Sequence, residues 1–225
     1  MKQLALIVPS RGRPDNVAQL LQSLSDCESR HTDLFIVLDE DDETRFGYYD
    51  LPAAWFSILI YPREGKGMAK PLNKAASLLK DDYEYFAFMG DDHRPRTQGW
   101  DSFFIDALDS LGTGLVYGND LHQGEGLPTA VAMTADIVRE LNGMVPPDMI
   151  HLYLDDFWLK LGKDLGAIKY LNDVVIEHCH PVWGTAPNDA GYDEVNSSEV
   201  YSADKVAFDS YVNSPAYAEL LAVLK

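Results

Sequence analysis

Short apolar runs alternate with amphipathic stretches along the N-terminal part of the chain. The runs are continuous, which is typical of parallel strands covered on both faces. The stretches between them carry apolar residues at helical spacing. This order of strand and helix predicts an α/β fold with a mostly parallel sheet flanked by helices. The predicted strands are Leu4–Val8, Leu34–Leu38, Ser57–Tyr61 and Tyr85–Met89, and the predicted helices are Asp15–Ser25, capped by Asp15 or Asn16, and Pro71–Leu79.

The segments after residue 95 follow a less regular order, but no linker separates them from the N-terminal segments. We therefore expect a single domain over residues 1–225. The polar segment Val182–Ser198 is predicted to be a mobile loop, and the amphipathic stretch Ala203–Leu224 to be interrupted at Pro215. The other predicted elements are helices over Trp100–Leu111, Ala135–Leu141 and from about Asp155 to Leu165, and strands over Gly114–Tyr117, Ala130–Met133, Ala167–Leu171 and Val174–Cys179.

Charge and cysteine content narrow the class of protein. The chain has 36 acidic residues against 18 Lys and Arg, a net charge of −18, so it has no global attraction for nucleic acid or an anionic membrane. The N-terminal apolar run, Leu4–Pro9, is too short for a signal sequence or a membrane span. Cys27 and Cys179 form no metal or redox motif and suit a reducing compartment. We expect a cytoplasmic protein without stable membrane insertion.

The most informative stretch is FAFMGDDHRPR, where an apolar run ends in adjacent carboxylates, Asp91 and Asp92. Open α/β sheets bind ligands at the carboxyl edge of their strands. Carboxylate oxygens suit Mg²⁺ or Mn²⁺, ions that proteins commonly hold together with substrate phosphates. A plain polar turn after the strand is the alternative reading.

Two other strand ends carry groups that suit a nucleotide. The loop Pro9-Ser10-Arg11-Gly12-Arg13 follows the first strand, where free backbone N–H groups and Arg side chains favour a phosphate. Asp39 ends the second strand and can accept from a base N–H or a ribose hydroxyl. Lys70 belongs to a local cluster of basic residues in the N-terminal third. A solvated loop and a solvated acidic face are the alternatives.

Two later motifs add candidates for catalysis and metal binding. Asp155 and Asp156 are adjacent at a predicted helix start, so only one of them is expected to point into a site, and capping of the helix is the alternative. His178 and His180 share one face of a strand and can act together as metal ligands, or as hydrogen-bonded core histidines.

In order and spacing, these segments resemble the family-2 glycosyltransferases of the GT-A fold, a Rossmann-type architecture. The resemblance extends over about residues 3 to 184. Two positions depart from the family pattern, since Gly90 stands first in the DXD triplet and the acidic pair is Asp-Asp where Glu-Asp is commoner. The segments that carry the resemblance are LALIVPSRGRPDNVAQLLQSL, LFIVLDEDD, GKGMAKPLNKAASLL, FMGDDHRPRTQGW, LDDFWLKLG and EHCHP.

The resemblance implies transfer of a sugar from a UDP- or GDP-sugar to an unknown hydroxyl acceptor, with inversion and with Mn²⁺ or Mg²⁺ as cofactor. It implies a nucleotide- and metal-binding half over residues 1–95, an acceptor half over 96–185, and a C-terminal loop and helical tail over 186–225. The implied roles are nucleotide binding by Pro9, Ser10, Arg11, Arg13, Asp39, Lys70 and Asp91, metal binding by Asp92, His178 and His180, and base catalysis by Asp156, preferred to Asp155.

Two other classes of function stay open at this point. A nucleotidyltransferase uses similar carboxylates and metal, but it needs a Gly-rich, Lys-bearing phosphate loop after the first strand, where this chain has only SRGR. A non-catalytic nucleotide-sugar-binding module would bind the donor without turnover, although the presence of Asp92, Asp156 and His178 disfavours it. Nucleic acid is disfavoured as a partner by the net charge, except as an acceptor.

Overall fold

The computed structural model describes residues 2–52 and 55–225, and within these ranges a mixed sheet runs through the molecule. Its strands are β1 (Lys2–Ser10), β2 (Thr32–Asp39), β3 (Phe56–Tyr61), β4 (Tyr83–Phe88), β5 (His93–Pro95), β6 (Leu115–Asn119), β7 (Val131–Thr134) and β8 (Ile168–His178). They lie in the order β3-β2-β1-β4-β7-β6-β8-β5. Strands β1 to β4 are parallel, β7 is antiparallel to both β4 and β6, and β6 and β8 are parallel to each other.

Helices cover both faces of this sheet, as the alternation of elements in the sequence predicts. They are α1 (Pro14–Asp26), α2 (Ala69–Leu79), α3 (Trp100–Leu111), α4 (Ala135–Leu141), α5 (Leu154–Leu165), α6 (Ala190–Val195), α7 (Ser198–Val212) and α8 (Pro215–Leu224). Short 3-10 turns lie at Arg45–Tyr48, Gly124–Gly126 and Pro181–Trp183. The single-domain α/β architecture is thus confirmed.

Two apolar clusters form the core, one on each face of the sheet. In β1, Ala5 and Ile7 belong to the cluster that includes α2, α4, α5 and α8, whereas Leu4, Leu6 and Val8 belong to the cluster with α1 and α3. Successive side chains of a strand point to opposite faces, so a strand covered on both faces must be apolar throughout. All five side chains are fully buried, which explains the continuous apolar run.

Three local predictions are corrected by the structure. The first helix is capped by neither Asp15 nor Asn16, because it begins at Pro14, a residue well suited to the first turn. The two late strands are one strand, Ile168–His178, whose pairing with β6 shifts register between Gly118 and Asn119. The segment Val182–Ser198 is not loop throughout, since it contains the helix α6. The predicted break at Pro215 is confirmed, because α8 begins there.

Candidate functional site

A cavity of about 840 Å³ opens at the carboxyl edge of the sheet. Strands β1, β2, β4 and β8 all run toward this edge, so the residues that follow them meet there. The opposite wall comes from the chain around α5 and from α6. Of the residues that the sequence indicates, Lys70 and Asp156 do not border the cavity. Those that do are Pro9, Ser10, Arg11, Arg13, Asp39, Asp91, Asp92, Asp155, His178 and His180.

Arg13 lies between two carboxylates from distant parts of the chain. Its Nε and Nη2 donate to the two oxygens of Asp189, each at 2.7 Å, and its Nη1 lies 3.5 Å from Asp91. Asp91 is buried and accepts a hydrogen bond of 2.6 Å from Ser10 and one of 3.4 Å from Asn16. Burial and the charge of the adjacent Asp92 raise the pKa of Asp91. A guanidinium held here faces the cavity and is suited to an anion.

Arg11 and Arg63 converge on the carboxylate that ends β2. Arg11 donates to Asp39 at 3.2 Å and to Asp41 at 2.5 Å, and the Nε of Arg63 lies 3.8 Å from Asp39. Arg63 also donates to Glu194 of α6 at 2.8 Å. Arg63 borders the cavity but was given no role from the sequence, although its position just after β3 was a usable signal.

Lys70 lies beside the main cavity and not in its lining. Its ammonium donates to the backbone carbonyl of Glu64 at 2.8 Å. It borders a small depression beside Asp39 and lies outside the main cavity. The position of Lys70 therefore gives its predicted nucleotide-binding role no support.

Asp92, His93 and His178 bring a carboxylate and two imidazoles together at the cavity. Asp92 Oδ1 lies 3.3 Å from His93 Nδ1, and its Oδ2 lies 3.5 Å from His178 Nε2. The imidazoles stack with their centroids 4.3 Å apart, because β5 and β8 pair these two residues directly. One ligand atom from each residue lies within 4.8 Å of the others, the spacing of a possible metal site.

The protonation of this cluster follows from its contacts. Burial raises the pKa of Asp92, but the hydrogen bonds of His178 and His93 outweigh it and hold that pKa well below its usual value. Burial lowers the pKa of His178, whereas Asp92 raises it by more. Burial and the charge of His178 lower the pKa of His93. His93 was missed by sequence reasoning, since only the pairing of β5 with β8 brings it to His178.

His180, the other predicted metal ligand, lies beside this group of three but does not belong to it. Its Nδ1 accepts a hydrogen bond from the backbone of Val182 at 3.3 Å, and its ring contacts His178 and Tyr192, each with a centroid distance of 4.9 Å. Burial and the charge of His178 lower its pKa to about 4. The ring therefore packs between the metal-type cluster and α6.

The two acids at the start of α5 differ in environment. Asp155 borders the cavity and Asp156 does not. Burial and the charge of Asp156 raise the pKa of Asp155 to about 6, and burial raises that of Asp156 as well. Asp155 accepts a hydrogen bond of 3.1 Å from the backbone N–H of Asp156. Asp155 is therefore the acid at the cavity with a pKa suited to moving a proton.

A loop held by a remote carboxylate forms the wall just before α5. Asp204 of α7 is fully buried and accepts from the backbone N–H groups of Ile150, His151 and Leu152, at 2.6, 2.9 and 2.7 Å. Gly67 packs so closely on Ile150 that an added Cβ would lie 2.3 Å from its carbonyl oxygen. The wall is thus fixed from two sides, and sequence reasoning gave no sign of it.

Comparison with solved structures identifies the class of fold. The chain is similar to TarS of S. aureus solved with UDP-GlcNAc, at 12% identity and a TM-score of 0.68, over 99% of this chain and 71% of that one. It is similar to glucosyl-3-phosphoglycerate synthase of Mycobacterium tuberculosis solved with Mn²⁺, UDP and phosphoglyceric acid, at 12% identity and 0.63, over 92% and 78%. The mannosyltransferase PcManGT of Pyrobaculum calidifontis, solved with GDP-Man and Mn²⁺, is 14% identical with a TM-score of 0.58, over 98% and 79%.

The sequence defines the family more directly. Residues 5–157 match the profile of glycosyl transferase family 2, and the chain belongs to that family. It is a glycosyltransferase with the GT-A fold, as the sequence motifs indicate. No curated protein sequence matches it. In the part of the chain that the structure describes, no helix has the length and apolar character needed to cross a bilayer.

Proposed function

We propose that this glycosyltransferase moves a sugar from a nucleoside diphosphate donor, a UDP- or GDP-sugar, to a hydroxyl acceptor with the help of a divalent cation. The proposal rests on one observation: a single cavity is lined both by the cluster of Asp92, His93 and His178 and by three arginines. The arginines are Arg11, Arg13 and Arg63. A carboxylate-imidazole cluster suits a cation, and guanidinium groups suit phosphate, so together they fit a cation-bound diphosphate.

The donor is assigned along the sheet edge from β3 to β4. Asp39, with Arg11 and Arg63 beside it, has the acceptor and the donors needed for a nucleobase and ribose. Arg13 suits the diphosphate because its Nη1 lies 3.5 Å from Asp91, the residue before Asp92 of the metal-type cluster. Similar structures solved with UDP-GlcNAc, UDP and GDP-Man support a nucleotide-sugar donor.

The cluster fits a divalent cation on its own chemistry. Its donors are a carboxylate that stays ionised and two imidazoles, and His93 Nε2 is buried without a hydrogen-bond partner in the described residues. A mixed oxygen and nitrogen set favours Mn²⁺ over Mg²⁺, since Mg²⁺ prefers oxygen ligands alone. The chemistry that a bound cation supplies here is neutralisation of charge developing on the diphosphate leaving group.

We assign the general base to Asp155 in place of Asp156, the residue that the sequence resemblance favours. Asp155 borders the cavity, and a carboxyl with a pKa of about 6 is ionised at neutral pH yet basic enough to accept a proton. Deprotonated by Asp155, the acceptor hydroxyl attacks the anomeric carbon in line with the departing diphosphate. That geometry inverts the configuration of the sugar.

Binding and turnover test the proposal separately. UDP and GDP are titrated calorimetrically with Mn²⁺ and again with EDTA, and the nucleotide that binds is expected to bind more weakly in EDTA. Equal affinity for the nucleotide in Mn²⁺ and in EDTA would contradict cation-dependent binding of the donor. Release of free UDP or GDP from a nucleotide sugar then distinguishes an enzyme from a module that only binds the donor.

A further inference from the structure

His151 borders the cavity, and within residues 2–52 and 55–225 its side chain has no hydrogen-bond partner. Its Nδ1 is buried without a partner, so the other ring nitrogen, Nε2, is the one that a ligand in the cavity can reach, and Nε2 forms no hydrogen bond among the described residues. Native proteins pair nearly all of their buried polar atoms, and an unpaired one calls for a functional explanation. His93 Nε2 is the other such side-chain atom in the described ranges, and it belongs to the metal-type cluster.

The ring cannot easily withdraw from this position. Asp204 accepts from the N–H groups of Ile150, His151 and Leu152, so the backbone on both sides of the ring is fixed. The Ile150 carbonyl accepts from Ala69 at 3.0 Å, which ties the loop to the start of α2. Groups held this rigidly are suited to recognition, because little conformational entropy is lost when a ligand binds.

The chemistry of the ring suits a hydroxyl better than a phosphate. Burial lowers the pKa of His151 to about 4, so the imidazole is neutral at physiological pH. A neutral imidazole offers one donor and one acceptor, the complement of a sugar hydroxyl. The cationic Arg13 is the better partner for a diphosphate.

The position of the His151 ring favours contact with the sugar of the donor rather than with its nucleotide. The nucleotide is assigned to Asp39, Arg11 and Arg63, at the ends of β1 to β3. His151 packs on Gly67 and lies four residues before Asp155, and it is close enough to Asp92 and Arg13 for their charges to act on its pKa. If Asp155 is the base, the anomeric carbon lies near it, and the wall at His151 borders the sugar ring.

We propose that His151 donates or accepts a hydrogen bond with a hydroxyl of the transferred sugar and thereby contributes to donor-sugar specificity. This inference rests on the proposed function, since it requires a nucleotide sugar in the cavity. The inference goes beyond the proposed function because it separates recognition of the sugar from recognition of the nucleotide.

The test compares a nucleotide with its sugar conjugate. UDP, UDP-glucose, UDP-GlcNAc, GDP and GDP-mannose are titrated in Mn²⁺ against the parent protein, and the tightest pair of nucleotide and nucleotide sugar is chosen. His151→Phe keeps an aromatic ring and removes both nitrogens. We expect about a tenfold loss of affinity for the nucleotide sugar, the scale of one lost hydrogen bond. Affinity for the nucleotide alone is expected to stay within about twofold of the parent, because it lacks the sugar.

Two further variants make the outcome decisive. His151→Ala adds no volume and carries the same expectation if the Phe variant does not fold. His122→Phe is the matched control, because His122 stacks on Trp183 with a centroid distance of 4.8 Å and does not border the cavity. An unchanged ratio of the two affinities in the His151 variants, or an equal loss of both, would overturn the inference. Failure of the parent to bind any nucleotide would instead overturn the proposed function.

Discussion

The two ends of the cavity differ in how their charges are balanced. At the end proposed for the nucleotide, called the nucleotide end, each arginine already has a carboxylate partner: Arg11 has Asp39 and Asp41, Arg13 has Asp189, and Arg63 has Glu194. At the end proposed for the cation, called the metal end, Asp92 lies between two imidazoles, and no Lys or Arg of the described residues forms an ion pair with it. A ligand must displace acids at the first end, whereas a cation at the second competes only with the imidazoles of His178 and His93 for Asp92.

The largest effect is expected from Asp155→Asn, at the start of α5. Loss of a general base lowers a rate by about 10²–10⁴-fold, so the transfer rate should fall on this scale while donor affinity is kept. The rate is measured as nucleotide release in the presence of an acceptor, and the affinity by calorimetry.

Asp156→Asn is the matched control, because the two acids are adjacent and only Asp155 borders the cavity. If Asp156→Asn loses the transfer rate and Asp155→Asn keeps it, the general base is Asp156. Loss of donor binding along with the rate would mark Asp155 as a ligand or a structural group.

The next effect concerns the cation. Asp92→Asn removes the anionic member of the cluster, so Mn²⁺ should no longer strengthen nucleotide binding, and metal affinity should fall at least about tenfold. Calorimetric titration of Mn²⁺ and of nucleotide in Mn²⁺ measures both effects. Glu177→Gln is the control, since Glu177 precedes His178 but pairs with the exposed Arg96. Retention of the Mn²⁺ effect in Asp92→Asn would move the cation site elsewhere.

The pH dependence of the turnover rate should report the raised pKa of Asp155. Burial and Asp156 raise the pKa of Asp155 to about 6, and a base acts only when it is deprotonated. The turnover rate should therefore be flat above this pKa and fall about tenfold per pH unit below it. In Asp156→Asn the charge that raises the pKa is gone, so the fall should begin at a lower pH. An identical pH profile in the parent and in Asp156→Asn would assign the fall in rate at low pH to another titrating group.

The smallest effect is a gain at the nucleotide end. Asp189→Asn removes the partner of Arg13, so less has to be displaced and nucleotide affinity should rise by about two- to fivefold, the scale of a partly exposed ion pair. Asp193→Asn is the control, because Asp193 accepts from Asn188 and does not contact Arg13. A weaker affinity in Asp189→Asn would show that Asp189 supports the bound state.

The nucleotide end was largely predictable because it is built from strand ends. Asp39 and Asp91 follow apolar runs, and the carboxyl ends of parallel strands meet at one edge whatever the rest of the chain does. The same logic placed Arg11 and Arg13. The nucleotide-binding role of Lys70 stays a prediction, because clustering in sequence does not say which way a helix turns its side chains, and its ammonium donates to the Glu64 carbonyl.

The rest of the cavity was less predictable because it depends on pairing between distant segments. His93 reaches His178 only through β5, a strand of three residues with no periodic signal. Asp189 and Glu194 lie in a polar segment whose helix is short. His151 carries no motif, and its role depends on Asp204, which is more than fifty residues away along the chain. Local patterns hold no information on such contacts.

The carboxylate of Asp204 also defines how small a working version of this enzyme can be. The family match ends at residue 157, but the loop before α5 is capped from residue 204, in α7. Shortened to the matched region, the protein would leave three adjacent N–H groups without their acceptor, next to the acid that we assign as the base. The helical tail is therefore part of the minimal catalytic unit, and an insertion between α6 and α7 should be better tolerated than removal of α7.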